Sequence, residues 1–196
     1  MNYTIEQIEN AVKSKGYVWF DGANDYDVNI IGVRNLAPGK VVTNVFDDTI
    51  TVSYKANGEW IFKQWENTTD PGKRAMLEFT NPLGVARLVE GQYRGSHQIG
   101  LHKGQYQALT QLSPLKVYRD NNKNMIYDEN KTEVGIFGIN IHHAGEDSIL
   151  VENWSEGCQV FKRQEDFNEF MEIIKQAASI NGNSFTYTLI TSNDIS

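Results

Sequence analysis

The chain has 196 residues, 40% of them hydrophobic and 22% charged, with a formal charge of −7. That length suits one substantial core spanning 1–196, and the composition is that of a folded domain rather than a disordered segment. Acidic and basic residues are interspersed and no apolar run reaches bilayer length, so neither a nucleic-acid surface nor a membrane span is expected.

Residues 1–6 have neither the basic start nor the apolar stretch of a secretory leader. Thr4 and Gln7 read as a capping box opening a helix with Ile5, Ile8 and Val12 on one face, closed by Lys13, Lys15 and Gly16. From about residue 26 the period becomes two. Val28, Ile30 and Ile31 mark one strand, and Ile50, Val52 and Tyr54 the next. Asn57-Gly58 supplies a hairpin turn, and Trp60 and Phe62 begin the returning strand. Thr68-Thr69-Asp70-Pro71-Gly72 is a loop.

Residues 73–114 are less patterned. Ala86 to Val89 reads as a strand, Gly91 to Gly95 follows it, and Gln98 to His102 reads as another; Leu115 to Tyr118 is a further strand. Val134 to His143 is expected as one strand, with Phe137, Ile139 and Ile141 on the core face and Asn140 and His142 opposite. Phe167, Phe170, Met171, Ile174 and Ala178 recur at helical spacing, Asn181-Gly182 ends that helix, and Phe185 to Ile190 is a last strand. The expectation is a mainly β, mostly antiparallel structure with two helices packed on it.

The sole cysteine, Cys158, rules out an internal disulfide and leaves no cysteine-based metal site. It follows Ser155-Glu156-Gly157, a turn in which glycine permits a tight bend and main-chain N–H groups can face a developing oxyanion. A free thiol, with a pKa of about 8.5, needs a neighbouring imidazole or helix N-terminus to ionise at neutral pH. His142, facing away from the apolar side of its strand, is the natural base. His143 assists through its carbonyl or side chain, or is simply packed. Ser155 and Gly157 shape the turn and the oxyanion site. Trp154 lines the cleft or is a buried aromatic. Arg94 receives a substrate carboxylate or makes a surface ion pair.

Ile141-His142-His143, followed by Ser155-Glu156-Gly157-Cys158, resembles the signature of the L,D-transpeptidase (YkuD-like) family, most clearly from Gly135 to Phe161. Weaker echoes lie in Thr68 to Gly72 and Gly91-Gln92-Tyr93. The resemblance implies a β-sandwich with no cofactor or metal, acting on peptidoglycan stem peptides in the periplasm or cell wall. Cys158 attacks a carbonyl beside a D-centre, His142 takes the thiol proton, and an amine or water releases the acyl group. The family's histidine before Gly-Cys is Glu156 here, and its Asn or Arg two residues beyond the nucleophile is Val160. These are pocket-shaping and substrate-holding positions, so the alternative is a non-catalytic peptidoglycan-binding module of the same fold.

Two patterns bear on metal binding. Asp120, Asn122, Asn124 and Asp128 fill positions one, three, five and nine of a calcium loop, but the sixth is Met125 rather than Gly and the twelfth Lys131 rather than Glu, which favours a polar turn. His97, His102, His142 and His143 raise a zinc peptidase, yet their spacing matches no helical zinc motif.

Overall fold

The computed structural model describes residues 2–195. Helix α1 (Ile5–Ser14) opens with the expected capping box: Gln7 N–H donates to Thr4 Oγ1 at 3.2 Å and Thr4 N–H to Gln7 Oε1 at 3.0 Å. Its buried face (Ile8, Ala11, Val12) packs with Trp19 on Ile31, Val33 and Ile190. Strand β1 (Asn29–Arg34) is therefore buried along its whole length, Ile31 and Val33 under the helix and Ile30 in the main core.

Strands β2 (Asp48–Ala56) and β3 (Glu59–Thr68) form the expected hairpin across Asn57-Gly58, both at positive φ (54° and 83°). After the short helix α2 (Lys73–Glu78) come β4 (Val85–Leu88), β5 (Gly91–His102), β6 (Tyr106–Gln111) and β7 (Leu115–Asp120). Then follow β8 (Thr132–Gly135), β9 (Ile141–His143), β10 (Gln159–Phe161), helix α3 (Gln164–Asn181) and β11 (Phe185–Thr191). Eight strands close into a barrel in the order β1-β11-β5-β6-β9-β10-β3-β2, and β4-β7-β8 form a separate sheet. Eight of the ten ladders are antiparallel; β1–β11 and β9–β10 are parallel.

Leu88, Leu115 and Val117 of the small sheet share one core with Ile50, Val52, Leu109, Ile141, Phe161 and Leu189 of the barrel. Phe167, Phe170, Met171 and Ile174 of α3 complete it. Burying a side chain of this size contributes roughly 1.5–3 kcal/mol. No helix among the described residues is long and apolar enough to cross a membrane.

Three expectations are corrected. There are three α-helices rather than two, because α2 has too few turns to display a periodic face. Gly91–Gly95 and Gln98–His102 are one strand, β5, which bends at Gly95 (φ +57°) where its register with β11 shifts. The strand expected from Val134 to His143 is broken in two. Between β8 and β9 the N–H groups of Phe137, Gly138 and Ile139 all donate to Gln111 Oε1, at 2.9, 2.9 and 3.1 Å. One amide oxygen replaces a strand partner there. The core-facing alternation survives nonetheless: Ile139 and Ile141 are buried and Phe137 packs against them.

A buried cation ties the two sheets together. Arg34, with none of its surface exposed, lies 2.8 Å from Asp70 Oδ1 and 2.6 Å from Glu90 Oε1. It also donates to the carbonyls of Leu88 and Thr69, both at 2.9 Å. Burial disfavours its charge, but Asp70, Glu90 and Asp48 outweigh that and raise the guanidinium above its usual range. Removing one partner of such a buried set costs about 3–5 kcal/mol. Arg34→Met is therefore expected to lower stability by about that much in urea denaturation, and an unchanged midpoint would contradict this role for Arg34.

Candidate active site

The turn that carries Cys158 is pinned from three sides. Ser155 is wholly buried; its hydroxyl donates to the Cys158 carbonyl at 2.8 Å and accepts Gly157 N–H at 3.2 Å. Its carbonyl accepts Gly72 N–H at 3.0 Å, joining the turn to the loop held by Arg34. Gln159, also buried, accepts the Tyr187 hydroxyl at 2.7 Å and donates to the Gly157 carbonyl at 3.2 Å. Gly157 has φ +125°, and a Cβ there would fall 2.3 Å from the Ala86 carbonyl on β4. Only glycine permits that approach.

Cys158 lines a cleft of about 780 Å³, sharing its walls with His142, His102, Lys103, Arg119, Asn140, Trp154 and Glu156. Its sulfur accepts Asn140 N–H at 3.4 Å and lies 3.4 Å from the Gly138 carbonyl, which the thiol proton faces. Because β9 and β10 run parallel with His142 opposite Val160, the imidazole stands one strand away and two residues further along. Among the described residues no hydrogen bond joins Sγ to His142; both line the cleft, and the thiol is turned towards Gly138.

His142 is 3% exposed. Its Nδ1 lies 2.9 Å from the His143 carbonyl, an arrangement that assigns the proton to Nδ1 and leaves Nε2 with its lone pair free of a proton. The Tyr106 hydroxyl sits 3.3 Å from the same Nδ1 and 3.4 Å from that carbonyl. The ring stacks on His102 with centroids 4.0 Å apart, and His102 Nδ1 in turn lies 3.1 Å from Asn140 Nδ2. Burial, aided by His102, pushes His142 down to about 3. Burial also pushes the Cys158 thiol up to about 11, against the Asn140 N–H and Lys103. Desolvation disfavours the charged form of each group, which works against the expected ionisation of the thiol by His142 in the free protein.

The remaining sequence candidates divide. Trp154, 44% exposed, and Glu156 line the cleft. Ser155 is removed from it by burial and serves the turn. Gly157 N–H is taken by Ser155 Oγ, so Cys158 N–H is the main-chain donor left beside the sulfur. The His143 ring packs on Tyr106 and Phe167 at 4.5 and 5.2 Å, away from the cleft, and its contribution is the carbonyl. Arg94 lines a separate depression with Phe20, Tyr26 and Asn181, because β5 carries it to the α3 end of the barrel wall. His97 is sealed inside, its ring nitrogens 2.8 Å from Ser96 Oγ and 3.0 Å from the Ile139 carbonyl. The four histidines thus form no zinc set, and among the described residues no three His, Cys, Asp or Glu side chains are placed to hold a metal.

Tyr106 and Lys103 were not legible as site residues, since they come from the β5–β6 hairpin far away in sequence, and His102 was singled out only as one of a histidine set. Asn140 carried the only usable signal, its shared face with His142. Comparison with protein-family models, curated proteins and solved structures gives no match.

Two outcomes are expected. The rate of Cys158 alkylation by iodoacetamide should rise with pH towards a midpoint above 9, in wild type and in His142→Gln alike; a midpoint below 8 would mean an ionised resting pair. His142 binds its proton only near pH 3 when folded but near 6.5 when unfolded, so it takes stability away as pH falls through that window. Urea denaturation of His142→Gln between pH 6 and 4 should show a slope shallower than wild type by about 1.4 kcal/mol per pH unit.

Proposed function

We propose that this chain is a cysteine-dependent acyl-transfer enzyme of the L,D-transpeptidase type, acting on peptidoglycan stem peptides in the periplasm or cell wall. The observation that carries the reading is the cleft shared by Cys158 and an imidazole whose Nδ1 is held by the His143 carbonyl. The small sheet and barrel wall facing each other across one core support a variant of the family's sandwich.

In this reading the substrate carbonyl enters beside Cys158 and draws the thiol off Gly138. As the Sγ–C bond forms, the thiol proton passes to His142 Nε2. The transient imidazolium keeps its Nδ1–H on the His143 carbonyl, with Tyr106 alongside. Charge on the tetrahedral oxygen is met by Cys158 N–H. Collapse breaks the C–N bond, and the departing amine takes the proton back from His142. An acceptor amine, or water, then attacks the thioester by the reverse sequence. Because neither partner is charged beforehand, proton transfer accompanies attack rather than preceding it. Lys103 offers the cleft a cation for a stem-peptide carboxylate, while Arg119 is paired with Glu133 at 2.8 Å and Glu78 and Glu156 share the lining; Trp154 offers an apolar wall.

The thiol's upward shift favours one rival, a wall-binding module that keeps the cleft without the chemistry. Mass spectrometry of defined muropeptides incubated with wild type, Cys158→Ala and His142→Gln separates them. Wild type should remove or exchange a terminal residue or form a cross-link, Cys158→Ala should do none of these, and His142→Gln should be slower by about 10²–10⁴-fold. Identical traces from all three proteins favour the module.

A further inference from the structure

The loop between β7 and β8 is built around oxygen atoms. Asp120 Oδ1 accepts Asn122 N–H at 3.2 Å, Asn122 Oδ1 accepts Asn124 N–H at 3.0 Å, and Asn124 Oδ1 accepts Ile126 N–H at 2.9 Å. The two amide groups then donate to opposite oxygens of Asp128, at 3.0 and 2.8 Å. Met125, at the position where a calcium loop has glycine, adopts φ +62°, the conformation glycine supplies there. The objection raised by its side chain is met by the backbone it adopts.

A separate observation points to a missing partner. Asp120 is only 4% exposed, and its Oδ2 is buried without a hydrogen bond. That oxygen belongs to the carboxyl that caps the loop at Asn122, and the charge of Asp128 bears on it. Nine residues on, Glu129 Oε1 is also buried and unpartnered, and its nearest cation, Arg87, is 4.0 Å from the other oxygen. Leaving a buried carboxylate oxygen unmatched is costly, and hard anionic oxygens are the ligands a calcium ion takes.

We propose that the Asp120–Glu129 loop binds a calcium ion, with Asp120, Asn122, Asn124 and Asp128 as its side-chain ligands. The ion would give the buried Asp120 oxygen its partner. It would also stiffen a segment that is bound to the Val41-Val42 stretch through Val42 N–H on the Met125 carbonyl at 3.1 Å. Next to Asp120 stands Arg119, a wall residue of the catalytic cleft, so occupancy bears on cleft shape as well as on stability.

The test is calorimetric titration of the full chain, stripped with chelator, using calcium chloride and separately magnesium chloride, with melting curves at each concentration. One calcium ion per chain is expected, with Tm rising as calcium is added and weaker binding of magnesium, which tolerates this ligand spacing less well. Asp128→Ala and Asn124→Ala, both at exposed positions, should fold with unchanged circular dichroism and lose the calcium heat and the Tm rise. Absence of heat and of a Tm shift in wild type would overturn the proposal, as would variants that titrate like wild type. The muropeptide assay is independent of these readings, so failure of one proposal does not stand for failure of the other.

Discussion

A guanidinium wholly removed from water must find its counter-charges inside the protein, and Arg34 finds them in segments that would otherwise have no reason to meet. Asp70 follows β3, Glu90 follows β4, and the Leu88 carbonyl closes the small sheet against β1. The loop fastened in this way carries Gly72, whose N–H reaches the Ser155 carbonyl at the base of the nucleophile's turn. A chain of short polar contacts therefore runs from the buried charge to the sulfur-bearing residue. Close backbone packing reinforces it: a Cβ at Gly72 would lie 2.2 Å from the Glu152 carbonyl, and one at Gly157 would strike Ala86.

The same dryness governs the chemistry. Packing leaves His142 almost wholly buried and Cys158 half-buried at the cleft wall, and desolvation is the leading influence on each. A preformed thiolate–imidazolium pair is disfavoured, so in the proposed reaction the site's electrostatic support acts on charge as it develops. That support is dipolar: the His143 carbonyl and Tyr106 hydroxyl at one end, Cys158 N–H at the other.

His102 shows how a fold-level contact tunes this arrangement. Its ring lies flat against His142, so protonating either one places positive charge beside the other. Asn140 holds His102 through its side chain while its main-chain N–H holds the sulfur, linking the stacked imidazoles to Cys158 through one residue. The hairpin of β5 and β6 supplies His102, Lys103 and Tyr106 together, which makes that turn part of the site although no catalytic motif lies in it.

The two-residue alternation, the capping box at Thr4, the Asn57-Gly58 turn and the helical stripe from Phe167 to Ala178 are local patterns, and each appears where local reasoning put it. The pairing of a Gly-Cys turn with a strand histidine was legible for the same reason: backbone period and turn chemistry act over a few residues. What sequence could not supply were contacts between distant segments. Gln111 breaking the β8–β9 strand, β5 running unbroken through Gly95, Arg94 turning to another face and Tyr106 arriving beside His142 all depend on how the barrel closes. Side-chain charge states belong to that second group as well, because a pKa is set by the solvent excluded around a group, and only the assembled core determines how much water remains.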